Sequence, residues 1–457
     1  NDSPEEHFTD TIKAACGLAD PNAVWGMTQA APELVHWLLK LGVKFNMSGY
    51  DDVDLRNFGG QKKKRTAFAQ SDTGKQIMTA MIDAVRRKEA SGMVERFSHH
   101  SFLTLRLCDN ICCGCVIRDE YSQETVELPG DAVIVATGGM HGLFGNTTGS
   151  LSNTGEVTAE LFRLGVPLAN GEMIQYHPTT VKCGGKRMLI SEAARGEGGR
   201  LFAMKDGKQW YFMEEKYPEL GNLMPRDITA REIWKVSHES EVFLDMTEIS
   251  EEIISNKLSG LADDCMTYLH KDIRKEPVSV LPGIHYFMGG ILVDEQHRTP
   301  IQNLYAAGEC CAQYHGANRL GGNSLLGALY GGRVAAKSAC EQADVVDLSC
   351  ATQIDFPPAS QISEIKQLNK VMQETMGVVR NENTLLNGIQ TVQALTGNLP
   401  LLGMAVLKSA LARKESRGAH WREDYPKSND NDYLKTTVAR FDGKQIQISF
   451  VPVPERR

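Results

Sequence analysis

The residues of this 457-residue chain best suited to chemistry are arginines, histidines and carboxylates set among glycines. They fall in short segments: Gln175-Tyr176-His177-Pro178-Thr179, Ser191-Glu192-Ala193-Ala194-Arg195-Gly196-Glu197-Gly198-Gly199, Pro225-Arg226-Asp227, His285-Tyr286-Phe287-Met288-Gly289-Gly290, and His315-Gly316-Ala317-Asn318-Arg319-Leu320-Gly321-Gly322-Asn323-Ser324-Leu325. A guanidinium is a planar fork of donors, charged at neutral pH, and an imidazole adds a directional hydrogen bond, so the set suits an anionic substrate gripped through its own carboxylates. Taken singly the segments are ordinary. A lone histidine in an apolar stretch is usually a hydrogen-bonded structural residue, and Arg-Gly-Glu-Gly is often only a turn.

Two further segments read as strands ending in glycine. Ala132-Val133-Ile134-Val135-Ala136 is a buried-type strand running into Thr137-Gly138-Gly139, and Ile301 to Ala307 runs into Gly308-Glu309. Parallel sheets bind ligands beyond the carboxyl ends of their strands, where glycine lets the backbone approach closely, and Glu309 is placed to accept hydrogen bonds from ribose hydroxyls. The pair points to a dinucleotide site. No Gly-x-Gly-x-x-Gly occurs in the chain, which opens at Asn1 on polar sequence, so the usual first βαβ unit is expected to lie in a segment missing from it.

Around these segments, residues 5–45 carry helix-period apolar positions broken by Gly42, and a second helix is expected at 73–90. Strand-like runs occupy 95–108, 110–118 and 123–129. From about 355 to 420 the pattern is helical, then polar at Ser428 to Asp432, then strand-like through Ile446-Gln447-Ile448.

Composition removes several functions. A net charge of −8 and a pI near 5.9 disfavour nucleic-acid binding, and the one basic run, Lys62-Lys63-Lys64-Arg65 beside Gly59-Gly60, reads as a solvated loop. Apolar stretches such as Leu401 to Leu407 fall far short of the roughly 20 residues that span a bilayer, and no export signal opens the chain. Of the 11 cysteines, Cys108, Cys112, Cys113 and Cys115 are the metal candidates. On a strand Cys113 and Cys115 would share a face and Cys112 the other, so they read as core residues and no metal site is expected. An odd, scattered cysteine count suits a reducing, cytoplasmic setting.

In order and wording, the five site segments resemble the fumarate reductase, succinate dehydrogenase and aspartate oxidase family of FAD flavoproteins, from about residue 5 to the end. The resemblance implies an α/β fold: an FAD-binding, Rossmann-like domain (1–170 and 281–350) interrupted by an α+β capping domain (171–280), then a helical C-terminal domain with a strand-like tail (351–457). It implies that His177 and His285, with Thr179 or Ser191, hold one substrate carboxylate while Arg319 holds the other and polarises the double bond. Arg226 is implied as proton donor, fed by Glu192 and Arg195. FAD contacts are implied at Ala136, Thr137, Gly138, Glu156, His285, Tyr286, Glu309, Arg319, Asn323, Ser324 and Leu325. His141, His297 and His420 carry no such implication and read as structural.

The chain departs from the family pattern at Thr154-Gly155-Glu156-Val157, where Thr-Gly-Asp-Gly is usual, and at Phe287, where threonine is usual and the change would reshape the pocket by His285. Met288, in place of the oxidases' cysteine, and the C-terminal segment from Lys414 favour the fumarate and succinate branch. Aspartate oxidase and a soluble enoate reductase are the alternatives. The resemblance further implies electron transport with an iron-sulfur subunit or other electron partner, held in some members by a membrane anchor on the cytoplasmic face. A nucleotide- or metal-binding protein without catalysis and an acyl-transfer hydrolase are the readings outside the family; the hydrolase fails because Gly322-Asn323-Ser324-Leu325-Leu326-Gly327 is one residue too long for a Gly-x-Ser-x-Gly elbow.

Overall fold

The computed structural model describes all residues except 1, 50–51, 59–60, 71, 346–353, 355 and 357–360. Gly59 and Gly60, the boundary at 350/351 and the opening of the expected helical stretch lie outside the described residues.

Helix boundaries follow local chemistry. Ser3 accepts a hydrogen bond from the Glu6 N–H and Pro4 opens the helix Pro4–Ala14; Asp20 accepts from Asn22 and Ala23, Pro21 opens Pro21–Leu41, and Gly42 at φ 100° closes it. The helix Thr73–Ala90 forms as its spacing indicates. An antiparallel meander follows, of His100–Cys108, Ile111–Asp119 and Thr125–Pro129. Its first strand begins at His100 rather than at 95, after His99 takes the left-handed conformation at φ 59°.

The cysteine alternation does not hold. Leu105 pairs with Cys115 and Leu107 with Cys112, so an extra residue bulges between them and the period of two is lost. Cys112 and Cys113 are both buried as a result, while Cys115 is half-buried. The solvated-loop reading of the basic run fails at Arg65. Its side chain is 6% exposed and pairs with Asp2 at 2.9 Å and Asp10 at 2.8 Å, leaving Lys62 as an exposed member.

The two glycine-ended strands pair parallel, Leu304 with Val133, Tyr305 with Ile134 and Ala306 with Val135. The first is not buried throughout. Ile134 is 40% exposed, because this sheet has only two strands among the described residues and one face of the pair lacks cover.

The middle of the chain builds its own core. A four-stranded antiparallel sheet (Lys208–Trp210, Arg200–Lys205, Val242–Asp245, Val278–Ser279) packs with the helices Arg226–Val236, Glu251–Lys257 and Ser259–Asp264 around Leu201, Ile233, Leu244 and Val278. Helices Ile362–Thr375, Glu382–Val392 and Asn398–Ala412 share a second core with Leu143, Phe144, Phe162 and Ile174. The tail folds back as strands Lys435–Phe441 and Ile446–Pro452, the first pairing with Leu168–Ala169 inside a five-stranded sheet. No helix among the described residues is long and apolar enough to cross a membrane.

Arg413 ties this closure together. It is fully buried and donates to Glu172 Oε1 (2.7 Å), Glu415 Oε1 (2.8 Å), the Tyr433 and Lys435 carbonyls (2.8 and 2.7 Å) and Thr437 Oγ1 (2.7 Å). Removing one partner of a buried pair strands the other charge without water. Arg413→Ala is therefore expected to lower unfolding free energy by about 3–5 kcal/mol and to open residues 428–457 to proteolysis. Urea titration and timed digestion measure both; a loss below about 1 kcal/mol would mean the network is not needed.

Candidate functional site

The site begins with two strands. His177 lies on Ile174–Cys183 and His285 on the antiparallel neighbour Leu281–Phe287. The register slips between Ile284 and Tyr286, so His285 sits in a bulge, and the two imidazoles meet edge to face with centroids 5.2 Å apart. His177 Nδ1 lies 3.1 Å from the Thr179 carbonyl and 3.2 Å from the Thr179 N–H, so the backbone of Thr179 holds that ring nitrogen in either tautomer. Burial pushes both histidines well below the usual imidazole range, and neighbouring charge from Arg226 and Arg319 adds to it, so both are neutral.

Helix termini bring in the charges. Ser191 caps the short helix Glu192–Gly196 through the Ala193 N–H. Arg226 opens Arg226–Val236 directly after Pro225. Its Nε and Nη2 donate to Glu192 Oε2 at 2.9 and 2.6 Å, and its Nη1 donates to Gln175 Oε1 at 3.0 Å. On the other side of the same carboxylate, Arg195 Nη2 lies 3.5 Å from Glu192 Oε1 while Arg195 Nη1 donates to the Asn222 carbonyl at 2.6 Å. Glu192 thus joins two buried guanidiniums.

Arg319 arrives on the loop before the helix Asn323–Gln342. It stacks over the Tyr286 ring at 4.6 Å and has no carboxylate at ion-pair distance among the described residues. Burial, reinforced by the charge on Arg226, brings it down to about 9. The loop is clamped on both sides: the Ala317 N–H donates to the Ala15 carbonyl (3.0 Å) and the Ala317 carbonyl accepts from the Ala419 N–H (2.9 Å). The contact is close enough that a Cβ on Gly418 (φ 54°) would sit 2.5 Å from that carbonyl.

Arg226, His285 and Arg319 line one cavity of about 310 Å³, with Phe58, Gln61 and Thr66. His177 stands behind His285. Thr179 is fully buried and its hydroxyl donates to the Ile190 carbonyl at 3.0 Å, turned away from the cavity. Phe287 does not face the cavity; it packs in the core against His141 and Phe144, with centroids 5.0 and 5.7 Å away. Met288 also lies in core, with Met173 and Ala317.

For the dinucleotide positions, Ala136 and Thr137 are exposed at the carboxyl end of their strand and Gly138 takes φ 73°. Glu309 accepts from the Phe287 N–H at 3.0 Å and lies 3.6 Å from His141 Nε2. Glu156 is exposed on the first turn of Glu156–Arg163. Asn323 is occupied internally, donating to Thr11 Oγ1 and paired with His7 Nε2, both at 2.9 Å; Ser324 and Leu325 line the cavity. A flavin fits this setting on two observations. Among the described residues His315, 5% exposed, has no partner for either ring nitrogen and Arg319 has none for Nε. The 20-residue helix Asn323–Gln342 also turns its N-terminus to the cavity through Gly322 (φ 85°).

Several functional-looking residues escape sequence reasoning. Gln175 bridges three segments by accepting from Arg226 and donating to Asn318 Oδ1 (3.0 Å) and the Arg319 carbonyl (3.1 Å); its place in a quoted segment was the signal. His141 and Thr148 lie in a glycine- and serine-rich turn with no spacing to distinguish them.

The sequence matches the FAD binding domain family over residues 1–325 and the fumarate reductase flavoprotein C-terminal family over 395–456. It is 36% identical to the succinate dehydrogenase flavoprotein subunit of Bacillus subtilis, with 100% of this chain and 88% of that protein covered. It is 31% identical to the L-aspartate oxidase of Nostoc sp., covering 96% and 84%. The structure superposes on the E. coli quinol fumarate reductase FrdA with a TM-score of 0.89 at 27% identity, over 99% of this chain and 87% of that one. The paired arginines, the neutral histidines and these likenesses agree: the chain belongs to the FAD-dependent oxidoreductase family of succinate dehydrogenase and fumarate reductase flavoproteins, to which L-aspartate oxidase is also related.

Proposed function

We propose that this chain interconverts fumarate and succinate. The observation that carries the reading is charge. Arg195, Arg226 and Arg319 surround the site, Glu192 is the carboxylate at ion-pair distance from the first two, and both histidines are neutral. Three guanidiniums thus share one carboxylate at ion-pair distance among the described residues, an excess of positive charge, and buried charge is stable only when balanced, so a small dicarboxylate dianion is the complement. No carboxylate lines the cavity among the described residues, which leaves the ammonium group of aspartate without a counter-charge.

Reduction of fumarate adds a hydride to one alkene carbon and a proton to the other. FAD, when bound, exchanges the hydride. Arg319 and His285 hold the carboxylates from the cavity lining, with His177 supporting His285, and Arg319 draws electron density from the double bond. Arg226 supplies the proton from the opposite side. A guanidinium is a weak acid, so the transfer depends on the carbon becoming basic as hydride arrives. Glu192, 2.6 Å away, and Arg195 beyond it then restore the proton. We further propose an iron-sulfur subunit as electron partner, itself carried by a membrane anchor, as the family resemblance implies.

Arg226→Lys keeps a cation at the site but not the fork. Succinate affinity is expected to stay within a few-fold while fumarate turnover falls about 10²- to 10⁴-fold, with flavin reduction by an artificial donor unchanged. Weakened binding in proportion to the lost rate would make Arg226 a carboxylate clamp instead. Aspartate is expected not to be oxidised.

A second test uses the pH dependence of binding. Arg319 is lowered to about 9, so its cationic form is complete at neutral pH and is lost as pH rises through that value. Succinate affinity is expected to be flat between about pH 6.5 and 8 and then to weaken by about tenfold per unit. Calorimetry from pH 6.5 to 10.5 measures it, with Arg319→Ala weak and without the alkaline limb. Succinate affinity unchanged by Arg319→Ala counts against the clamp, and undiminished affinity at pH 10.5 in the unsubstituted protein counts against the lowered value.

A further inference from the structure

The turn at residues 147–149 touches two histidines through adjacent hydroxyls. Thr147 Oγ1 is 2.9 Å from His141 Nδ1 and accepts from the Gly149 N–H at 3.2 Å. Thr148 Oγ1 is 2.8 Å from His285 Nδ1 and 3.3 Å from the Ile284 carbonyl, while the Thr148 N–H donates to that same carbonyl at 3.0 Å. The Ile284 carbonyl already has the Thr148 N–H as one donor and keeps a second lone pair, but the shorter approach of the hydroxyl is to the ring. A hydroxyl has one proton to give. Given to Nδ1, it forces the imidazole proton onto Nε2, since the bond made by one ring nitrogen fixes the state of the other.

We infer that Thr148 is a positioning residue which sets the Nε2–H tautomer of His285, so that a neutral ring presents a donor to a substrate carboxylate. In the opposite tautomer His285 would turn a lone pair toward that carboxylate. Burial keeps the ring from answering by taking a second proton, so the hydroxyl decides the matter.

This inference rests on His285 holding a carboxylate, and the test separates the two. Thr148→Val, Thr148→Ser, His285→Ala and the double variant Thr148→Val/His285→Ala are compared in the FAD-loaded full-length enzyme. Succinate dissociation constants come from flavin absorbance, with flavin content and thermal midpoint measured alongside. Thr148→Val is expected to weaken succinate binding about tenfold, as for a lost hydrogen bond to a buried group, and Thr148→Ser to stay within about twofold of wild type. In the His285→Ala background Thr148→Val is expected to add nothing. An equal loss in both backgrounds, or unchanged binding in Thr148→Val with normal flavin content, overturns the assignment. Unchanged binding in His285→Ala itself overturns the underlying reading of His285, and this one with it.

Discussion

One carboxylate between two guanidiniums governs this molecule's chemistry. Glu192 receives Arg226 in two hydrogen bonds and faces Arg195 at ion-pair distance, and all three side chains are buried. Taking such charges out of water is costly, and only good geometry with further hydrogen bonds offsets it. Gln175 and the Asn222 carbonyl complete that geometry. The set is still short of negative charge, which places substrate recognition and structural stability in the same few atoms.

The elements that meet at this point come from distant parts of the chain. Two strands supply the histidines, two helix starts supply the arginine pair and its carboxylate, and a loop supplies Arg319. That loop has no regular structure of its own. Its shape is imposed by Ala15 on one side and Ala419 on the other, so the N-terminal helix and the C-terminal segment both act on the position of one guanidinium.

Much of this was legible in the sequence where local chemistry decides. Asp20, Pro21 and Gly42 mark a helix without reference to anything else, and Pro225 places Arg226 on a first turn. The resemblance named Glu192, Arg195 and Arg226 together, but the pairing of both arginines with one carboxylate is a tertiary contact that the sequence does not show. What tertiary packing decides was not legible. The bulge at Cys112 to Cys115 broke a strand alternation, Arg65 found two aspartates from the N-terminal segment, and Phe287 turned inward to His141 and Phe144 rather than to the pocket. Thr148 carries no motif at all. Its position matters only because a bulge across the turn brings His285 to it.

The pairing of Lys435–Phe441 with Leu168–Ala169 bears on how the protein is made. Residues so far apart cannot meet until the long stretch between them has been synthesised, which at about 5–20 residues per second means a wait on the order of tens of seconds. Through that interval Leu168 and Glu172 lack the strand and the arginine that later cover them. A long-range closure of this kind is slow to find and leaves apolar surface open to wrong associations meanwhile. Biogenesis of this chain is accordingly a problem of timing, concentrated at the sheet edge that Lys435–Phe441 eventually occupies.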